Sequence, residues 1–101
     1  MVLIQEKGTQ QPLTDEQIKT LLKIVPTWQI IEEKLWNDYD FPDFKQTMAF
    51  ANKIAQLAEK ENHHPTITIS QNKVEVEIFT HSSNNLSEKD FSLAEKIDAL
   101  K

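Results

Sequence analysis

The 101-residue chain contains no cysteine, one glycine and one tyrosine. The missing cysteine excludes disulfides, zinc ribbons and thiol nucleophiles, and leaves the redox compartment unmarked. No apolar run approaches the roughly 20 residues of a membrane span, so no membrane partner is expected. Residues Met1-Val2-Leu3-Ile4-Gln5-Glu6 offer no cationic segment ahead of an apolar stretch, which argues against a signal peptide and for a cytoplasmic protein. Positive charge is also scarce: Lys and Arg total 11 against 16 Asp and Glu, a formal net charge of -5. The basic residues stand singly. A nucleic-acid partner, which is held mainly by clustered Lys and Arg, is therefore not expected.

What is present is an ordinary globular mixture, 39% hydrophobic and 27% charged. The length fits one domain with a thin core, which would gain from burying a face against a second copy. Residues 1–12 read as a short tail ending in Gln11-Pro12, and residues 13–101 as the domain. Leu13-Thr14-Asp15-Glu16-Gln17-Ile18 is a helix start: Thr14 can cap, Gln17 can reach back, and Leu13 can staple to Ile18. Helical spacing continues through Leu21, Leu22 and Val25, so a helix is predicted over 15–25, stopped by Pro26. Trp28 to Glu33 and Leu35 to Phe41 read as two strands joined near Glu33-Lys34. Pro42-Asp43-Phe44 opens a long second helix. One half of its cylinder is apolar: Phe44, Thr47, Met48, Phe50, Ala51, Ile54, Ala55, Leu57 and Ala58. That half either is covered by the other helices or meets a second subunit.

Asn62 is a left-handed stop for this helix, and Pro65 prevents its resumption. Residues 66–70 and 73–79 alternate as strands around a Gln71-Asn72 hairpin turn. Leu86, Ser87, Asp90 and Phe91 repeat the helix start signal, and a third helix runs to about Leu100. The order αββαββα predicts an α+β domain of two layers, a four-stranded antiparallel sheet covered on one face by helices.

The three histidines stand at the ends of these elements. A two-residue turn at Gln71-Asn72 pairs Thr66 with Glu77 and Thr68 with Glu75. Extended, that register puts His64 opposite Phe79 and on the same face as His81, roughly 5–8 Å apart at Cα. His63 adjoins them, so the cluster is a candidate site. A zinc site is one alternative, but adjacent side chains in extended chain point apart, which suits shared metal ligation poorly. Ser82 and Ser83 lack the glycine-flanked elbow of a nucleophile. Acid–base chemistry fits best, because imidazole titrates near neutrality. Asp90 has two readings, completion of the capping box at Ser87 and orientation of the His81 ring. Glu59 is either a solvated charge or a residue beside the site.

Glu59, three residues, His63-His64-Pro65, fifteen residues, His81, eight residues and Asp90 form a spaced signature. With Leu13-Thr14, Trp28, Phe41-x-Asp43-Phe44, Asn72-Lys73-Val74, Thr80-His81, Leu86-Ser87 and Leu93-Ala94 around it, the chain resembles the pterin-4a-carbinolamine dehydratases (4a-hydroxytetrahydrobiopterin dehydratases), from about Leu13 to Leu100. That resemblance implies a lyase acting in tetrahydropterin recycling, which dehydrates a 4a-hydroxytetrahydropterin to the quinonoid dihydropterin. It implies no metal and no organic cofactor. By similarity His63 and His81 would move protons, His64 would hold the pterin or assist, and Asp90 would orient an imidazole. Glu59 and Trp28 would lie near the substrate, although a tryptophan opening a strand also suits the core. A homodimer or homotetramer is implied. The same fold also serves as a non-catalytic protein-binding or assembly factor, including a dimerisation partner of a transcription factor. Two positions depart from the family pattern: Gln71 replaces an aromatic residue at the hairpin turn, and Asn84-Asn85 replace glycines after the third histidine.

Overall fold

A computed structural model describes residues 13–79 and 86–101. Their elements are α1 (Asp15–Leu22), β1 (Gln29–Ile31), β2 (Lys34–Asp40), α2 (Phe44–Glu61), β3 (Thr66–Ile69), β4 (Lys73–Ile78) and α3 (Glu88–Leu100). The order αββαββα and the antiparallel four-stranded sheet are those expected, and the strands lie in the order β1-β2-β4-β3. Residues 1–12 and 80–85, with His81 and Asn84-Asn85 among the latter, lie outside the described residues.

Local chemistry explains most boundaries. Thr14 and Gln17 form a reciprocal capping box, with bonds of 3.1 and 2.9 Å to each other's backbone N–H. The first helix ends three residues earlier than its apolar spacing suggests. The amides of Lys23, Ile24 and Val25 bond three residues back, to Thr20, Leu21 and Leu22, and this tightening turns Val25 fully into the core. The β1–β2 turn falls one residue earlier than expected, on Glu32 and Glu33. Both are left-handed, at φ 52° and 66°, the backbone of a two-residue hairpin loop that usually takes Gly or Asn. The β3–β4 hairpin has the expected register, Thr66 opposite Glu77 and Thr68 opposite Glu75. Thr47 on α2 fastens that hairpin, its hydroxyl lying 3.0 Å from the Gln71 carbonyl oxygen.

Alternation along β2 and β4 sends Leu35, Tyr39, Val74, Val76 and Ile78 to one face, where Phe50, Ala51 and Ile54 of α2 and Phe91, Leu93, Ala94 and Ile97 of α3 cover them. The opposite face carries Trp36, Asp38, Lys73, Glu75 and Glu77 and no described helix. On α2, Thr47, Phe50, Ala51, Ile54 and Ala58 are buried, while Phe44 remains 52% exposed.

At the far end of α3, Asp98 accepts hydrogen bonds from the Trp28 indole N–H (3.0 Å) and from the Tyr39 hydroxyl. Burial, reinforced by the Asp98 carboxylate, pushes the Tyr39 phenol well above its ordinary pKa of 10.0. A raised folded-state pKa contributes stability below the unfolded value and loses it as pH climbs beyond that value. Tyr39 is the chain's one tyrosine, so absorbance at 295 nm reports it directly. We expect no tyrosinate signal near pH 10 in the folded protein, with ionisation appearing only as alkali unfolds it. Half-ionisation near pH 10 with the fold intact would contradict this placement.

Candidate active site

The site begins where α2 stops. Asn62 takes the left-handed conformation, φ 53° and ψ 41°, which reverses the chain, and the His63 N–H closes the helix end on the Ala58 carbonyl at 3.1 Å. Pro65 then disfavours helical backbone at His64 before it, and β3 begins at Thr66. In that short extended link His63 and His64 diverge, as neighbouring side chains must.

His63 turns inward. Its side chain is 18% exposed and its Nε2 lies 2.7 Å from Oδ1 of Asp90, which is fully buried. Asp90 occupies the third position of α3, and its other oxygen, Oδ2, accepts the Ser87 N–H at 2.9 Å. One carboxylate therefore completes the expected capping box and also holds the His63 imidazole. With Asp90 ionised, Nε2 of His63 must carry the proton, and Nδ1 is the nitrogen left to exchange one. The ring that the sequence paired with Asp90 was His81, which lies outside the described residues; among them the imidazole partner is His63.

His64 turns outward, 56% exposed, with Nε2 2.7 Å from Oε2 of the still more exposed Glu59. Each imidazole borders its own depression. His63 lines a hollow of about 130 Å³ with Glu61, Lys89, Ser92 and Leu93. His64 lines a notch of about 30 Å³ with Lys34, Thr66, Glu77 and Phe79, on the helix-free face of the sheet. A strut crosses between the helices beside His63: Lys96 of α3 donates to Glu61 at 2.8 Å, and that bond holds the Glu61 carboxyl below its ordinary range. Among the described residues no three His, Asp or Glu side chains gather closely enough to hold a metal ion.

A profile of the pterin 4 alpha carbinolamine dehydratase family matches residues 11–100. The chain belongs to this family. A Rickettsia bellii relative, provisionally named pterin-4-alpha-carbinolamine dehydratase, is 48% identical over 93% of this chain and 85% of its own. One from Nitrosospira multiformis with the same provisional name is 39% identical over 93% and 83%. A crystal structure described as a transcriptional coactivator/pterin dehydratase from Brucella melitensis superposes with TM-score 0.84 at 32% identity, covering 89% of this chain and 98% of that one. A pterin dehydratase-like protein described as a RuBisCO assembly factor in the alpha-carboxysome superposes with TM-score 0.62 at 27% identity, covering 72% and 84%.

Within this dehydratase-family fold, Trp28 packs in the hydrophobic core. It is 3% exposed, with its indole N–H committed to Asp98, and so takes the core position of its two expected ones. Sequence reasoning passed over the Asp98 anchor and the Glu61–Lys96 strut. Asp98 left a signal: an acid in the last turn of a helix opposes the dipole and needs partners elsewhere.

Removing the Asp90 carboxylate strands a buried imidazole and a buried N–H, which costs about 1–3 kcal/mol. Urea unfolding of Asp90→Ala should show that loss, and imidazole ¹⁵N shifts should show His63 leaving the Nε2–H tautomer. Glu59→Ala, at a solvated pair, should cost less than about 1 kcal/mol.

Proposed function

We propose that the chain is a 4a-hydroxytetrahydropterin dehydratase working by histidine acid–base catalysis, with no metal or organic cofactor. The observation that carries the reading is the His63–Asp90 pair, an imidazole whose direction is set by a buried carboxylate 2.7 Å away. Pre-set geometry of this kind is what proton transfer needs. In the reaction, protonation of the 4a-hydroxyl lets the C4a–O bond break and water leave. The N5 lone pair forms the C4a–N5 double bond as the N5 proton departs. His63 and His81 exchange these two protons. His64, aimed by Glu59, lies against the pterin. Trp28, bonded to Asp98, supports α3 in this reading.

Family membership supports the activity through the relatives' names and the match over residues 11–100. A second reading, a non-catalytic coactivator or assembly factor, is favoured by the descriptions of the two solved relatives. The His63–Asp90 pair favours the enzyme, since a scaffold has no use for a fixed imidazole tautomer. Family resemblance supports a homodimer or homotetramer.

Turnover of 4a-carbinolamine by the purified protein tests the choice. Wild type should exceed the uncatalysed rate, and His63→Ala and His81→Ala should each lower kcat by about 10²–10⁴-fold. A wild-type rate equal to the uncatalysed one would end the enzyme reading and leave the scaffold.

A further inference from the structure

The notch beside His64 is built from three strands of the helix-free face. Thr66 opens β3 and stands opposite Glu77 of β4. Leu35 of β2 pairs with Ile78, so Lys34 falls opposite Phe79 one step on. The hollow they share with His64, about 30 Å³, is enough for one water-sized group. A cation and a carboxylate therefore line one small notch, both only half-exposed. Among the described residues neither forms an ion pair with the other or with any third group.

Lys73 on the same face shows the contrast. It reaches Asp38 at 2.8 Å and Asp40 at 3.0 Å, and its charge is already engaged. Lys34 and Glu77 keep their hydrogen-bonding capacity open: three donors on one side and a pair of acceptor oxygens on the other. The complementary ligand edge carries adjacent donors beside an acceptor, on a flat ring that can rest against Phe79.

A 2-amino-4-oxopyrimidine edge has that pattern. Its 2-amino group and N3–H present parallel donors to a carboxylate, as a guanidinium does, and its O4 accepts from an ammonium. We propose that Glu77 and Lys34 are specificity-determining residues that read the pyrimidine edge of the substrate, Glu77 through N3–H and the 2-amino group and Lys34 through O4. The assignment rests on the dehydratase reading and adds to it the atoms by which a pterin is told from a pteridinedione.

Pterin and lumazine, which differ in 2-amino against 2-oxo, are the probes, and calorimetric titration of the full chain is the measurement. Wild type should bind pterin about tenfold tighter than lumazine, the scale of one charge-assisted pair. Glu77→Gln should bring that ratio close to one and raise KM for the 4a-carbinolamine about tenfold, with KM taking the larger share of the loss over kcat. Lys34→Met should weaken both probes alike, because both keep O4. Thermal melts matching wild type confirm that these sheet-surface variants fold. If Glu77→Gln keeps the pterin preference and the wild-type KM while wild type turns over, the assignment falls and the dehydratase reading stands. If wild type neither turns over nor binds pterin, both fall.

Discussion

A buried carboxylate needs compensation, since leaving water costs it several kcal/mol unless partners are close. Asp90 is fully buried and finds them in the Ser87 N–H and the His63 imidazole, at the positive end of α3. The arrangement constrains everything around it. The start of α3 is fixed by the capping bond, the end of α2 by the imidazole, and the two helix ends are thereby fixed to each other. His63 gains its direction from the same bond. Stability and the capacity for chemistry thus depend on one side chain.

The rest of α3 extends that logic. Asp98 near its other end draws in Trp28 and Tyr39, so one acid of the helix binds the end of α2 and the other binds β2. Between them Lys96 reaches across to Glu61, one residue before the left-handed turn that aims His63. Asn62 makes that turn at low cost, because asparagine tolerates left-handed backbone better than most residues. A small domain with a thin core acquires in this way a site whose first element cannot rotate freely.

Much of this was legible in the sequence, for local reasons. The capping boxes at Thr14 and Ser87 depend only on residues three apart, and the β3–β4 register depends only on parity around Gln71-Asn72. What was not legible depended on backbone or on distant contacts. Two glutamates in a left-handed turn carry no compositional mark, so the β1–β2 junction was misplaced by one residue. The 3₁₀-like tightening before Pro26 follows from burying Val25, which periodicity alone cannot show. The His63–Asp90 pair requires α3 to pack beside the end of α2, a fact about tertiary structure. The sequence paired Asp90 with His81 across the eight residues between them, and His81 lies outside the described residues.

Solved relatives of this fold are described as a coactivator/pterin dehydratase and as an assembly factor, and the enzyme reading proposed for this chain turns on whether His63 moves a proton. Chemical rescue addresses that most directly. In His63→Ala, with the fold confirmed, free imidazole should restore 4a-carbinolamine dehydration in a saturable, concentration-dependent way. Full turnover in His63→Ala without added imidazole would contradict the account, because the residue fixed by Asp90 would then have no part in the chemistry.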